Sequence, residues 1–278
     1  MYVALKRTNN MKGFCMFEKR LMRAENNNYK TANGFTLAEV LITLGIIGVV
    51  AAITLPMLIQ NYQRKVVETR LAKFSSMFNQ AIERSVADNG ETKYWDDYQV
   101  WEKYDTIDGE KVPQDMHNES DASFNKYLGK YMNVVKKKEV SVNAPYLAGS
   151  GDKKVYLYYL SDGSAFSFRY MHNREIIFYP KATDKCVAMS EYDKIGTCAF
   201  IFSFFTVNND TSQDMKYVRG GHLDPYMYKW DGTVDNLINY SERGCNNHPS
   251  KELGAYFCTK LIEINGWKIP KDYPRKVW

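Results

Sequence analysis

The chain has 278 residues, with 37 Lys or Arg against 32 Asp or Glu and a formal net charge of +5. That excess lies wholly in residues 1–34, where Lys6, Arg7, Lys12, Lys19, Arg20, Arg23 and Lys30 face only Glu18 and Glu25; from Phe35 onward 30 basic and 30 acidic residues balance. Bulk charge therefore excludes a polyanion-binding reading of the remainder, and no nucleic-acid partner is expected from it.

Residues 34–59 read GFTLAEVLITLGIIGVVAAITLPMLI, an apolar run broken by one charge, Glu39. From Phe35 to Ile59 the run gives about 25 residues, which at roughly 1.5 Å each cross a hydrocarbon core of about 30 Å with some tilt. A carboxylate inside such a run costs about 2.5–3.5 kcal/mol, so Glu39 is expected to have a partner. The basic flank holds the N-terminus in the cytoplasm and sends the C-terminal bulk outward. An ordinary secretory signal ending at Val50-Ala51-Ala52 competes with this reading. Against it stand the charge within the apolar stretch and a helical pattern that runs on past Ala52.

The order Gly34, Phe35, Thr36, Leu37, Glu39, Val40, Leu41, Ile42 resembles the processing site of type IV pilins and type II secretion pseudopilins. The resemblance implies a cleaved leader, residues 1–34, cut after Gly34 by a prepilin peptidase. Phe35 would then be the first mature residue and carry an N-methyl group, with Glu39 fifth. Pro56 falls where many pilins carry a helix-kinking proline. Met22 is a second candidate start, which would shorten the leader. On this resemblance the partners are the peptidase, other pilin or pseudopilin subunits, an inner-membrane assembly platform and the bilayer itself. The place is a single-pass inner membrane with the C-terminal domain outside the cytoplasm, and then a pilus or pseudopilus. Physically, the new α-amine of one Phe35 could pair with Glu39 of a neighbour, offsetting both desolvation costs and setting axial register.

Beyond residue 59 the pattern turns amphipathic. Val67, Leu71, Phe74, Phe78 and Ile82 recur at spacings of three and four, one face of a helix over 60–89. Asn89-Gly90 is a helix stop. Either one helix of roughly 80 Å runs from Phe35 to Asn89, or an anchor precedes a separate helix. Pro56 should bend or locally melt it.

Residues 90–278 suffice for one globular head. Residues 91–150 read as loops with short helices, including 123–135. The alternating runs Val155–Leu160 and Ser164–Tyr170 meet at Asp162-Gly163, a hairpin cue, and Glu175–Tyr179 and Ala199–Val207 are further strands. The fold class is α+β: a long N-terminal helix, membrane-spanning then amphipathic, packed on an antiparallel sheet, the layout of pilin-like heads.

Of five cysteines, Cys15 lies in the leader, and Cys186, Cys198, Cys245 and Cys258 form an even set in the part placed outside. Sequence proximity pairs 186 with 198 and 245 with 258 among three connectivities; a zinc site using Cys245 and His248 is the alternative. No cofactor is expected, with calcium at Asp231, Asp235 and Asp224 a weak option. Lys136-Lys137-Lys138 reads as a solvated face or turn. The tail Gly266–Trp278 reads as an extended edge that tucks its aromatics onto the head, or else as a binding tail. Gly149-Ser150-Gly151-Asp152-Lys153-Lys154 lacks phosphate-loop spacing, and His117, His172, His222 and His248 are scattered, so catalysis has no motif. Three classes follow: a non-enzymatic structural subunit of a pilus or secretion pseudopilus, which is the expectation; a minor tip subunit whose enlarged head binds a surface, a partner or DNA; and a membrane-anchored enzyme.

Overall fold

The computed structural model describes residues 34–95, 104–107, 110–113, 117–143, 152–168, 175–206, 212–248 and 254–277. The leader with Cys15 and Met22, residues 149–151, His172 and Trp278 lie outside the described residues. The chain divides into two units, residues 1–50 and 51–278.

Helix α1, Leu37–Asn89, is one continuous element, so the option of two separate helices falls. In the first unit its apolar side chains stand exposed. In the second unit Val67, Leu71, Phe74, Phe78, Ala81 and Ile82 are buried, the stripe that the three-and-four spacing predicts. Gly90, at φ 78°, ends the helix in the left-handed conformation that costs glycine little.

After α1 come a two-stranded hairpin, β1 (Tyr104–Ile107) with β2 (Glu110–Pro113), and helix α2, His117–Tyr127. Six strands follow: β3 (Val134–Asn143), β4 (Asp152–Leu160), β5 (Ala165–Phe168), β6 (Glu175–Tyr179), β7 (Phe200–Phe205) and β8 (His222–Pro225). They form one antiparallel sheet whose spatial order is the chain order. Short helices α3 (Asp184–Ala188), α4 (Glu191–Lys194), α5 (Val234–Asn239) and α6 (Cys258–Ile264) complete the head. Thr183, Ser190 and Thr233 start α3, α4 and α5 by each accepting the backbone N–H three residues on.

Three expectations need correction. Of the two options for Lys136-Lys137-Lys138 the solvated face holds and the turn does not: all three are exposed within β3, an edge strand, where lysine blocks unwanted pairing with other chains. The segment 91–150 holds a hairpin and a long strand, and the helix expected over 123–135 ends at Tyr127, followed by a 3₁₀ turn over Gly129–Tyr131. The C-terminal tail adds no strand to the sheet. It runs in turns, burying Ile269, Tyr273 and Val277 and stacking Trp267 on Phe202.

The core is a seam of aromatic rings between α1 and the sheet. Register places Tyr158, Phe166, Phe178 and Phe200 opposite one another across β4 to β7. Phe74 of α1 stacks on Phe178 at 4.2 Å and meets Phe166 and Phe202 at 5.5 and 5.3 Å. Phe124 of α2 closes the same face against Tyr158 at 4.3 Å. Such pairs add about 0.5–1.5 kcal/mol each beyond the area they bury. Residues of both parities are buried in β5, β6 and β7, so these strands read as unbroken apolar runs.

Polar side chains of α1 lock the seam. The Arg70 guanidinium donates to the Asp162 and Pro180 carbonyls. Lys73 donates to Asp162 at 2.8 Å. The Asn79 amide pairs with the backbone of Leu223 in β8 in both directions, at 2.9 and 3.1 Å. Arg64 donates to the Ile269 and Pro270 carbonyls while Glu68 accepts from the Ile269 amide.

Phe74→Ala should cost about 3–5 kcal/mol in chemical unfolding of the full chain in detergent micelles. The exposed neighbour Ser76, changed to Ala, should stay within about 0.5 kcal/mol.

A second test uses acid. Burial pushes the Asp162 carboxyl up, but hydrogen bonds from Lys73 and from the Ser164 hydroxyl and amide outweigh it and bring it from 3.8 to about 2. Because the folded value is depressed, this stabilisation is complete above about pH 4 and drains away as pH falls toward 2. The melting temperature of Asp162→Asn should therefore lie below that of the parent at pH 6, and the gap should close as pH falls through that window.

Candidate functional site

The residues singled out at the N-terminal end come together in the first helical turn. Thr36 is the helix N-cap. Its hydroxyl accepts the Glu39 backbone N–H at 3.2 Å, while Glu39 Oε2 accepts the Thr36 backbone N–H at 2.8 Å and the Thr36 hydroxyl at 2.9 Å. This reciprocal arrangement is a capping box, written in the sequence as Thr-x-x-Glu. Within its own chain Glu39 thus has Thr36 as its hydrogen-bond partner. The signal was present in Thr36-Leu37-Ala38-Glu39 and went unread because the charge was weighed against lipid rather than against the helix end.

One carboxylate oxygen, Oε2, takes all of these bonds; Oε1 makes none among the described residues. The acid also lies in the first turn, where the helix dipole favours a negative charge. Phe35, one residue before the cap, is 86 % exposed. From there to Ile59 the large apolar side chains are all exposed, an arrangement that water does not favour. Among the described residues this is the one helix long and apolar enough to cross a membrane.

Pro56 sits inside α1, which is assigned as helix on both sides of it. Lacking an N–H, it leaves the carbonyl four residues earlier, that of Ala52, without its ladder bond.

The four cysteines of the head close two bridges, Cys186–Cys198 and Cys245–Cys258. The first ties α3 to the entry of β7, and the second pins the start of α6. Gly196 stands against the second bridge at φ 78°, where a Cβ would meet Cys258 Sγ at 2.5 Å. With its sulfur consumed, Cys245 offers no thiolate to a zinc ion beside His248. The three carboxylates named for calcium each have hydrogen-bond partners of their own. Asp231 accepts from the Thr233 amide and hydroxyl, Asp235 from Asn239, and Asp224 from Arg219 and His222. Among the described residues no three His, Cys, Asp or Glu side chains gather as a metal site.

His222 Nδ1 lies 3.0 Å from Asp224 Oδ1, the one histidine–carboxylate pair among the described residues. Burial raises the Asp224 carboxyl, yet the hydrogen bonds from His222 and Arg219 prevail and hold it below the ordinary range. Among the described residues no hydroxyl or thiol hydrogen-bonds to this pair. Its buried acid braces β8 against the preceding turn through Arg219.

Reduction should expose all four head thiols to alkylation only after unfolding, since Cys186, Cys198, Cys245 and Cys258 are buried. Replacing Cys186 and Cys198 together by Ala should cost about 3 kcal/mol in unfolding free energy.

Residues 29–55 match the prokaryotic N-terminal methylation motif, the signature of type IV pilins and pseudopilins. Residues 57–277 match a family of unknown function, DUF6613. No curated protein and no solved structure matches the chain. The chain belongs to the DUF6613 family and opens on the methylation motif.

Proposed function

We propose that this member of the DUF6613 family is a non-enzymatic, pilin-like structural subunit. A prepilin peptidase removes residues 1–34 by cutting after Gly34, and the exposed amine of Phe35 is methylated. The subunit waits in the inner membrane, anchored by the first half of α1, with its head outside the cytoplasm. It then joins other subunits through that same helix in a type IV pilus or a type II secretion pseudopilus.

The observation that carries this reading is the state of Glu39. Its Oε2 is held by Thr36 while Oε1 makes no hydrogen bond among the described residues, at the head of a helix whose first half leaves its large apolar side chains exposed. A lone anchor would gain from Leu at this position. A polymerising one gains from a carboxylate that can pair with the amine of an incoming Phe35, and Thr36 takes only one of its two oxygens. The two bridges of the head agree with a compartment outside the reducing cytoplasm.

Mass spectrometry of the protein from its native cells should find a chain that begins with N-methyl-Phe35. Glu39→Leu should still be cleaved there but should vanish from the sheared filament fraction. A mature chain retaining residues 1–34, or undiminished incorporation of Glu39→Leu, would overturn the proposal.

A further inference from the structure

The apolar run of α1 gives way to charge within a few residues of Ile59, and the C-terminal tail returns to the helix at that same level. Arg64 donates to the Ile269 and Pro270 carbonyls at 3.1 and 2.7 Å, and Glu68 accepts the Ile269 amide at 3.0 Å. The tail so held sets the Lys268 ammonium 3.5 Å from Glu68, and Lys65 lies 3.9 Å from the same carboxylate. Three cations, Arg64, Lys65 and Lys268, therefore stand around one acid. Both lysines are exposed, and so is Tyr62, one helical turn nearer the apolar run.

This arrangement carries two costs. The Lys65 and Lys268 amines touch, and the hydrogen bond to Lys268 with its like charge pulls Lys65 below the ordinary lysine range, against the opposing pull of Glu68. The approach of the tail is also strained. Gly266 and Trp267 both adopt left-handed backbone, at φ 66° and 60°, a conformation that a residue as bulky as Trp267 rarely takes. A phosphate diester offsets the first cost, because it accepts from both ammoniums and cancels their repulsion.

Depth supplies the source of such a phosphate. Lys65 follows Ile59 by six residues, about 9 Å along the helix, and the Cα–Cβ bonds of a helix tilt toward its N-terminus, here back toward the apolar run. Headgroup layers extend a core of about 30 Å to about 40–45 Å, so each is roughly 5–8 Å deep. With the apolar run in the core, the Lys65 amine reaches that layer, and Tyr62 takes the level at which interfacial aromatic side chains gather.

We infer, resting on the reading above of a head held outside the membrane by α1, that Lys65 and Lys268 together bind the phosphate of an anionic phospholipid in the outer leaflet. An anionic headgroup is favoured over a zwitterionic one, whose own ammonium competes for the phosphate. Because Arg64 and Glu68 fasten the tail to α1, this one contact seats the head on the bilayer while the subunit waits there. Joining a filament breaks it.

The test reconstitutes the full chain into vesicles of phosphatidylcholine, and separately into vesicles that also contain phosphatidylglycerol. A membrane-permeant anhydride acetylates the lysines, and mass spectrometry reads each rate against that of Lys130. Lys130 is exposed and pairs with Asp88, about 35 Å further along α1 than Lys65 and beyond the reach of the surface potential. Relative to Lys130, Lys65 and Lys268 should react about tenfold more slowly in the anionic vesicles than in the neutral ones. Lys268→Gln should cut the protection of Lys65 to about threefold, whereas Lys268→Arg should preserve it. Inorganic phosphate added to the neutral vesicles should change neither rate. Equal rates in the two kinds of vesicle, protection reproduced by inorganic phosphate, or full protection of Lys65 in Lys268→Gln overturns the inference. Flotation after an alkaline wash reports the anchor separately. If the chain floats with both kinds of vesicle while the two lysines gain no protection, this contact alone falls. If the wash strips the chain from both, the anchored reading falls and takes this contact with it.

Discussion

A carboxylate set among some twenty apolar residues must be hydrogen-bonded wherever it goes, and this requirement organises the N-terminal end. Thr36 satisfies it locally: two donors reach Glu39 Oε2, and the helix dipole adds to them. The same bonds fix where α1 begins, because a helix start leaves four N–H groups without intrahelical partners. One pair of side chains thus ends the backbone problem and the charge problem together. It also holds the acid in the helical turn that follows Phe35, the position that becomes an amine if the chain is cut after Gly34. A bare Glu on a lipid-facing helix would snorkel toward the headgroups; the capping box holds this one in place.

The second half of α1 answers to a different solvent and is built differently. Its apolar side chains narrow to one stripe, and the stripe meets rings aligned by sheet register. Stacked rings slide, so packing alone would leave the helix free to shift along the sheet. The flanking polar bonds remove that freedom. Arg70 bridges two carbonyls that belong to different turns, those of Asp162 and Pro180. Asn79 binds the backbone of β8 as another strand would, which also shields that edge of the sheet. Arg64 and Glu68 grip the C-terminal tail by its backbone, and the tail in turn sends Tyr273 to the Gly196 carbonyl beside the Cys245–Cys258 bridge. The head is therefore wound back onto the helix that would carry it.

Legibility in the sequence followed the strength of each periodic signal. The apolar run, the stripe from Val67 to Ile82 and the Asp162-Gly163 hairpin were readable because their spacing is regular and their turn chemistry local. The hairpin carries a glycine at φ 80° where the chain must reverse. β3 was missed because its Lys-Lys-Lys-Glu centre hides the alternation; on an edge strand both faces meet water and no apolar period need appear. β8 was missed because four residues, His-Leu-Asp-Pro, are too short to show a period, and its pairing with β7 is decided by tertiary contacts. The same shortness hid α3 to α6. The capping box was the one miss at the candidate site itself. It needed no structure, only attention to the helix end as well as to the membrane.

Edge strands pose the remaining physical question of this head. A six-stranded open sheet has two edges, and each invites unwanted pairing between copies unless it is blunted. The β8 edge is blunted from within, by Asn79 and by the Arg219–Asp224 pair. The β3 edge is blunted by charge instead, and charge differs from a hydrogen-bonded cover in one respect. A cover excludes every comer equally, whereas a lysine pair excludes some and attracts others. An edge guarded in this way remains silent toward its own kind, since two lysine edges repel, and answers to an acidic surface.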